Sequence, residues 1–172
     1  MRKFKLAVMI LILLLLQTAA VSYIGVMGIV PDLVFAFVLA YAVVENEFTD
    51  NLVIALICGV LMSFFNGRGF LYTVLLYTYP ALIVHSSYQK RKPFHRWVIP
   101  LITGILFTII AEMVYYLIAF TAEISIVNAI EAIVYVVLPT AVYNAICIII
   151  MYPIVNKLFS RERSKIMTVD IL

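Results

Sequence analysis

Eleven of the twelve Lys and Arg residues in this chain fall into three short clusters, and long apolar blocks separate them. Arg2, Lys3 and Lys5 form the first, Lys90, Arg91, Lys92 and Arg96 the second, and Lys157, Arg161, Arg163 and Lys165 the third. Positive charge is retained on the cytoplasmic side during insertion, so spans end at such clusters. With all three clusters cytoplasmic, each block between them crosses the membrane an even number of times. The blocks can do so: 66% of the 172 residues are hydrophobic and 12% charged, with a mean hydropathy of +1.14. A soluble domain of this length needs far more polar surface, which leaves an all-α integral membrane protein. The net charge of +3 resides in the clusters, where it sets orientation and can hold anionic headgroups. No nucleic-acid partner is expected from it.

A span needs about 20 apolar residues, fewer where the bilayer thins. Six stretches qualify, at residues 4–24, 30–44, 51–65, 70–86, 97–120 and 132–152. The first has the basic start of a signal peptide, but its apolar stretch runs on to Ile24. An uncleaved signal-anchor helix is therefore expected. Gly25 and Gly28 offer a turn, and Pro31 suits the first turn of a second helix. Asp32 beside it favours the positive helix N-terminus. Glu45 to Asn51 read as a compact acidic loop, and Asn66-Gly67-Arg68-Gly69 as a turn. Trp97 is placed like an interfacial anchor, and Pro153 closes the sixth span. The expected topology is a single domain of six transmembrane helices with both termini cytoplasmic. The short second and third spans are its least secure part.

Several spans carry small or polar residues four apart, hence on one helix face. They are Ala55, Gly59 and Ser63 on the third, and Thr73, Tyr77, Ala81 and His85 on the fourth. The fifth carries Gly104, Thr108, Glu112 and Tyr116, the second Asp32, Ala36 and Ala40, and the sixth Thr140 and Asn144. Helix packing is the plain reading, because small residues let helices meet in lipid. A polar cavity or partner groove is the sharper one. Glu112 is the acidic residue well inside a span, which makes it a functional candidate. Fifteen residues beyond Trp97, it lies about 22 Å from the inner interface. Asn144 lies at similar depth. Glu112 then either faces the bundle and bonds a neighbour such as Asn144 or Tyr77, or meets water near the outer headgroups.

Chemistry is absent from the pattern. There is no H-E-x-x-H, G-x-S-x-G or P-loop, and no pair of carboxylates in the spans for acid and base work. Cys58 and Cys147 lie in apolar runs and read as packing residues. His85 and His95 have no thiol or carboxylate beside them, so interfacial and solvated roles are expected. No catalytic residue, metal site or cofactor is assigned.

Several local patterns nevertheless resemble one family. They are Leu16-Gln17-Thr18, Gly28-Ile29-Val30-Pro31-Asp32-Leu33, and Gly59-Val60-Leu61 with Asn66-Gly67 and Gly69. Pro139-Thr140-Ala141-Val142-Tyr143-Asn144 with Tyr152-Pro153 completes the set. In this order they resemble MreD, the rod-shape-determining membrane protein of bacteria, over nearly the whole chain. The chain departs from that pattern at Ser63, where an acidic residue is expected, and at Tyr77-Thr78-Tyr79, where Gly-Tyr is common. The resemblance implies a non-enzymatic component of the cell-elongation complex in the bacterial inner membrane. It would bind MreC and help couple MreB filaments to a RodA-type glycosyltransferase and a class B transpeptidase. Candidate partner-binding or structural residues are Pro31, Asp32, Gly59, Glu112, Pro139 and Asn144. The alternative is a small transporter or vitamin-type substrate-binding subunit of an energy-coupling transporter, a fold to which the family itself looks similar.

Overall fold

The apolar runs fold as helices because only bonds within the segment can satisfy a lone backbone in lipid. The computed structural model describes residues 2–20, 29–88, 97–119 and 130–159. Among them the chain forms six helices: α1 (Arg2–Leu15), α2 (Leu33–Val44), α3 (Phe48–Asn66), α4 (Phe70–Tyr88), α5 (Val98–Ala119) and α6 (Leu138–Phe159). A π-helical turn, Leu16–Ala20, extends α1, and another, Ile133–Val137, leads into α6. Six helices agree with the six expected. Length and apolarity suffice for crossing in three, Phe48–Asn66, Val98–Ile118 and Ile130–Phe159. The second basic cluster, most of the third, the expected Gly25–Gly28 turn, His95 and residues 120–129 lie outside the described residues.

The centre of the bundle is α2. Its sequence has no polar face, and a helix apolar all round has to be surrounded. Every residue from Val34 to Val43 is buried, and α2 packs against all five other helices. At 12 residues it rises only about 18 Å. The α1 helix is peripheral: Leu6, Ile10 and Leu13 form its one inward stripe, while Phe4, Leu11, Ile12 and Leu15 face outward.

The most extensive helix pair is α3 with α4. Gly59 permits it, since a Cβ there would lie 3.0 Å from the Val74 Cα and 3.3 Å from the Tyr77 Cβ. Two backbones this close leave no room for a side chain. The hairpin closes because Gly67 takes φ 61° at the end of α3 and Gly69 takes φ 93°, where L side chains are strained.

Three boundaries differ from the sequence expectation. Asp32 caps α2, so Pro31 precedes the cap instead of opening the helix. Phe48 to Asp50 belong to α3, shrinking the acidic loop; Asp50 in the first turn is favoured by the helix dipole. Pro153 does not stop α6, which runs on to Phe159. Val155 and Phe159 are buried beyond it, and Phe159 meets the Tyr41 ring edge-on at 5.7 Å between centroids. That packing offsets the hydrogen bond lost to proline. The π turn before Pro139 has a similar cause, because a wider turn relieves the clash of the proline ring with the carbonyl four residues back.

Where α2 ends, the Glu45 carboxylate is buried. It accepts from the Tyr41 hydroxyl at 2.7 Å and from the amides of Asn46 and Glu47 at 2.8 and 3.1 Å, and it pairs with Arg2. Burial alone would raise its pKa. The Tyr41 hydroxyl, the Glu47 amide and the Arg2 charge outweigh that and hold it below the ordinary 4.5. His85, expected at the interface, is instead buried beside this end, with its Nδ1 3.3 Å from the Ala42 carbonyl.

Two outcomes follow from these contacts. Gly59→Leu forces α3 and α4 apart and lowers stability by about 3 kcal/mol, read as a loss of melting temperature in mild detergent. A depressed carboxylate stabilises the fold above its unfolded pKa and loses that contribution as pH falls through its folded pKa. The melting-temperature gap between wild type and Glu45→Gln is therefore full at neutral pH and closes on acidification below pH 4.5.

Candidate functional site

At the opposite end of α2 the polar residues of five helices converge. A helix start leaves its first amides without partners, and here side chains supply them. Asp32 Oδ1 accepts from the Phe35 amide at 2.8 Å. Asn144 Oδ1, from α6, accepts from the Asp32 amide at 2.8 Å. Gln17, on the π turn after α1, accepts from the Leu33 amide and donates to the Pro31 carbonyl, both at 2.9 Å. The Asp32 carboxylate also receives the Tyr77 hydroxyl from α4, and Asn144 Nδ2 donates to Thr108 Oγ1 of α5 at 3.1 Å.

A second polar group closes over the first. Arg68, in the α3–α4 turn, pairs with Glu112 of α5, and its guanidinium carbon lies 4.7 Å from the centre of the Tyr115 ring. Such a cation over an aromatic face adds to the pair. Tyr72 donates to the Ala111 carbonyl on the same side. Between the two groups lies a partly open cavity of about 350 Å³. Asp32, Arg68, Glu112, Thr73, Thr108, Thr140 and Asn144 all line it, with Phe35, Phe65 and Leu76 as apolar wall. A larger cleft of about 630 Å³ runs between α1 and α3. Its walls are mainly aliphatic, including Leu6, Ile10, Ile57 and Leu61, so it offers volume with little chemistry.

Most of the stripes expected to pack face inward, while Ser63 and Tyr116 are only partly buried. Thr73, Tyr77, Ala81 and His85 are all buried, as are Thr108, Glu112, Thr140 and Asn144. Asp32, Asn144 and Glu112 share one cavity. Gly59 belongs to the α3–α4 contact, and Pro139 precedes the cavity-lining Thr140 on α6. Glu112 does face the bundle, but its partner is Arg68, not Asn144 or Tyr77; those two serve Asp32 instead. Helical periodicity places residues on faces and says nothing of how far a turn arginine reaches. A usable signal existed, since Arg68 is the one basic residue outside the clusters and Glu112 the one acid deep in a span. Lone opposite charges in an apolar chain seek each other. Gln17 gave no comparable signal. Among the described residues no group of three or more metal-ligating side chains converges.

The family model described as rod shape-determining protein MreD matches residues 1–161 of the chain. Neither a curated protein nor a solved structure matches it.

Removing one member of a half-buried ion pair strands the other. Arg68→Met is therefore expected to cost about 3 kcal/mol, and Arg68→Met with Glu112→Leu to recover most of that. Melting temperatures of the two single variants and the double variant check the coupling.

Proposed function

We propose, from the premise that the chain belongs to the MreD family of rod shape-determining proteins, that it is a non-enzymatic scaffold of the cell-elongation complex. In this reading it binds MreC in the membrane. Through that contact it helps couple MreB filaments to a RodA-type glycosyltransferase and a class B transpeptidase. Family membership itself implies a role in rod shape determination. The match over residues 1–161 is the observation that carries the proposal. The helices are consistent with it, because the three long apolar ones bury only 28%, 33% and 28% of their spanning windows inside the bundle. Most of their surface is left for lipid or for partner helices.

The same reading orients the chain with both termini in the cytoplasm and the Arg68 turn outside, because the basic clusters are retained inside. Glu45 and its Arg2 partner then mark the inner end of α2, and the polar cavity the outer half. A substrate-binding subunit is the second reading, and the cavity is the observation in its favour.

Depletion in the native cell is expected to round the cells, and pull-down in mild detergent to recover an MreC-like partner. Cells that stay rod-shaped with no such partner contradict the scaffold. For topology, Asn46→Cys should resist an impermeant thiol reagent in intact cells and Glu123→Cys should react. Background is low because Cys58 and Cys147 are buried.

A further inference from the structure

The cavity at the start of α2 has an imbalance that the scaffold role does not use. Among the described residues its charged lining groups are Asp32, Glu112 and Arg68. Arg68 sits on Glu112, so with all three ionised the formal sum is one negative charge, that of Asp32. That carboxylate is held by neutral donors, the Phe35 amide and the Tyr77 hydroxyl. They orient it without neutralising it. A surplus charge in a low-dielectric site is costly unless something cationic meets it.

The hydrogen-bonding side chains of the wall point the same way. Thr73 and Thr140 donate their hydroxyl protons back to their own helices, to the Gly69 carbonyl at 3.0 Å and the Val136 carbonyl at 2.6 Å. Both threonines line the cavity, and with their protons committed their oxygens can only accept. Thr108 Oγ1 already accepts from Asn144. One amide hydrogen of Gln17, one of Asn144 and the hydroxyl of Tyr77 are likewise committed within the protein. Thr73, Thr108, Thr140, Asn144 and Glu112 are all buried, so these groups are fixed in place. The cation of the lining, Arg68, is engaged by Glu112, and Asp32 is left without a cationic partner among the described residues. A volume of about 350 Å³ is at the small end of ligand pockets.

We propose that this cavity binds a primary ammonium group, which donates to the Asp32 carboxylate and to the threonine oxygens around it. A primary ammonium carries the missing charge and three donors with no acceptor. A neutral polyol would leave the charge unmet. A quaternary ammonium would bring charge without donors. The same chemistry has two sources, the ethanolamine headgroup of a membrane lipid or a small water-soluble amine.

The test uses the full chain and two matched pairs of probes. Native mass spectrometry from nanodiscs of mixed phosphatidylethanolamine and phosphatidylcholine reads the lipid source. Thermal unfolding in lipid-free detergent with ethanolamine or choline reads the soluble one. A charge-assisted hydrogen bond supports a preference of about tenfold for the primary ammonium over its trimethyl counterpart. Preference for the ethanolamine lipid identifies a headgroup site; stabilisation by free ethanolamine alone identifies a soluble amine. Asp32→Asn keeps an oxygen to cap the helix and removes the charge, so it should abolish the preference. Equal response to both members of each pair overturns the proposal, as does a folded Asp32→Asn protein that keeps the preference. The wild-type comparison decides by itself if that variant does not fold.

Discussion

The bundle depends on how its shortest helix begins. A rise of about 18 Å cannot reach across a hydrocarbon core of about 30 Å, so at least one end of α2 stays away from bulk water. Unpaired amides there would cost several kcal/mol. Asp32, Asn144 and Gln17 supply their acceptors. Because those three side chains come from α2 itself, α6 and the turn after α1, capping the helix also positions its neighbours. The cavity is a consequence, for polar groups gathered around a helix start keep apolar side chains from filling the space.

The other end of α2 obeys the same requirement with opposite polarity. A carboxylate at a helix C-terminus meets an unfavourable dipole, and Glu45 offsets it with Arg2, Tyr41 and two loop amides. The α1 helix is thus tied to α2 by Arg2 at its start and by Gln17 at its end. Between those ties only Leu6, Ile10 and Leu13 are fully buried, with Met9 and Leu14 partly buried against the core, and the apolar cleft to α3 stays open. Two polar clamps therefore hold a helix that dispersion contacts hold weakly.

Much of this was legible in the chain. Apolar runs between basic clusters marked six helices, and the spacing of Thr73, Tyr77, Ala81 and His85 marked an inner face. Gly59 could be read as a contact residue because small residues have few other uses in a span. Helix ends were less legible. Pro153 is tolerated only because Val155 and Phe159 find partners beyond it, and such packing is not local information. Helical periodicity misses the Arg68–Glu112 pair for a related reason, since the arginine sits in a turn and meets α5 across the bundle. The fully buried character of α2 was present in its unbroken apolar sequence, yet its brevity resembled a thin span as well as a central plug.

The shape-determining role belongs to the family, and the polar cap ties the centre of the bundle to its neighbours. The claim that α2 is fixed by side chains from its neighbours is tested most directly by amide hydrogen exchange in nanodiscs. The amides of Asp32, Leu33 and Phe35 should exchange slowly, although first-turn amides ordinarily exchange freely, and Asn144→Ala should speed exchange at Asp32. Rapid exchange at all three in the wild-type protein would contradict the account.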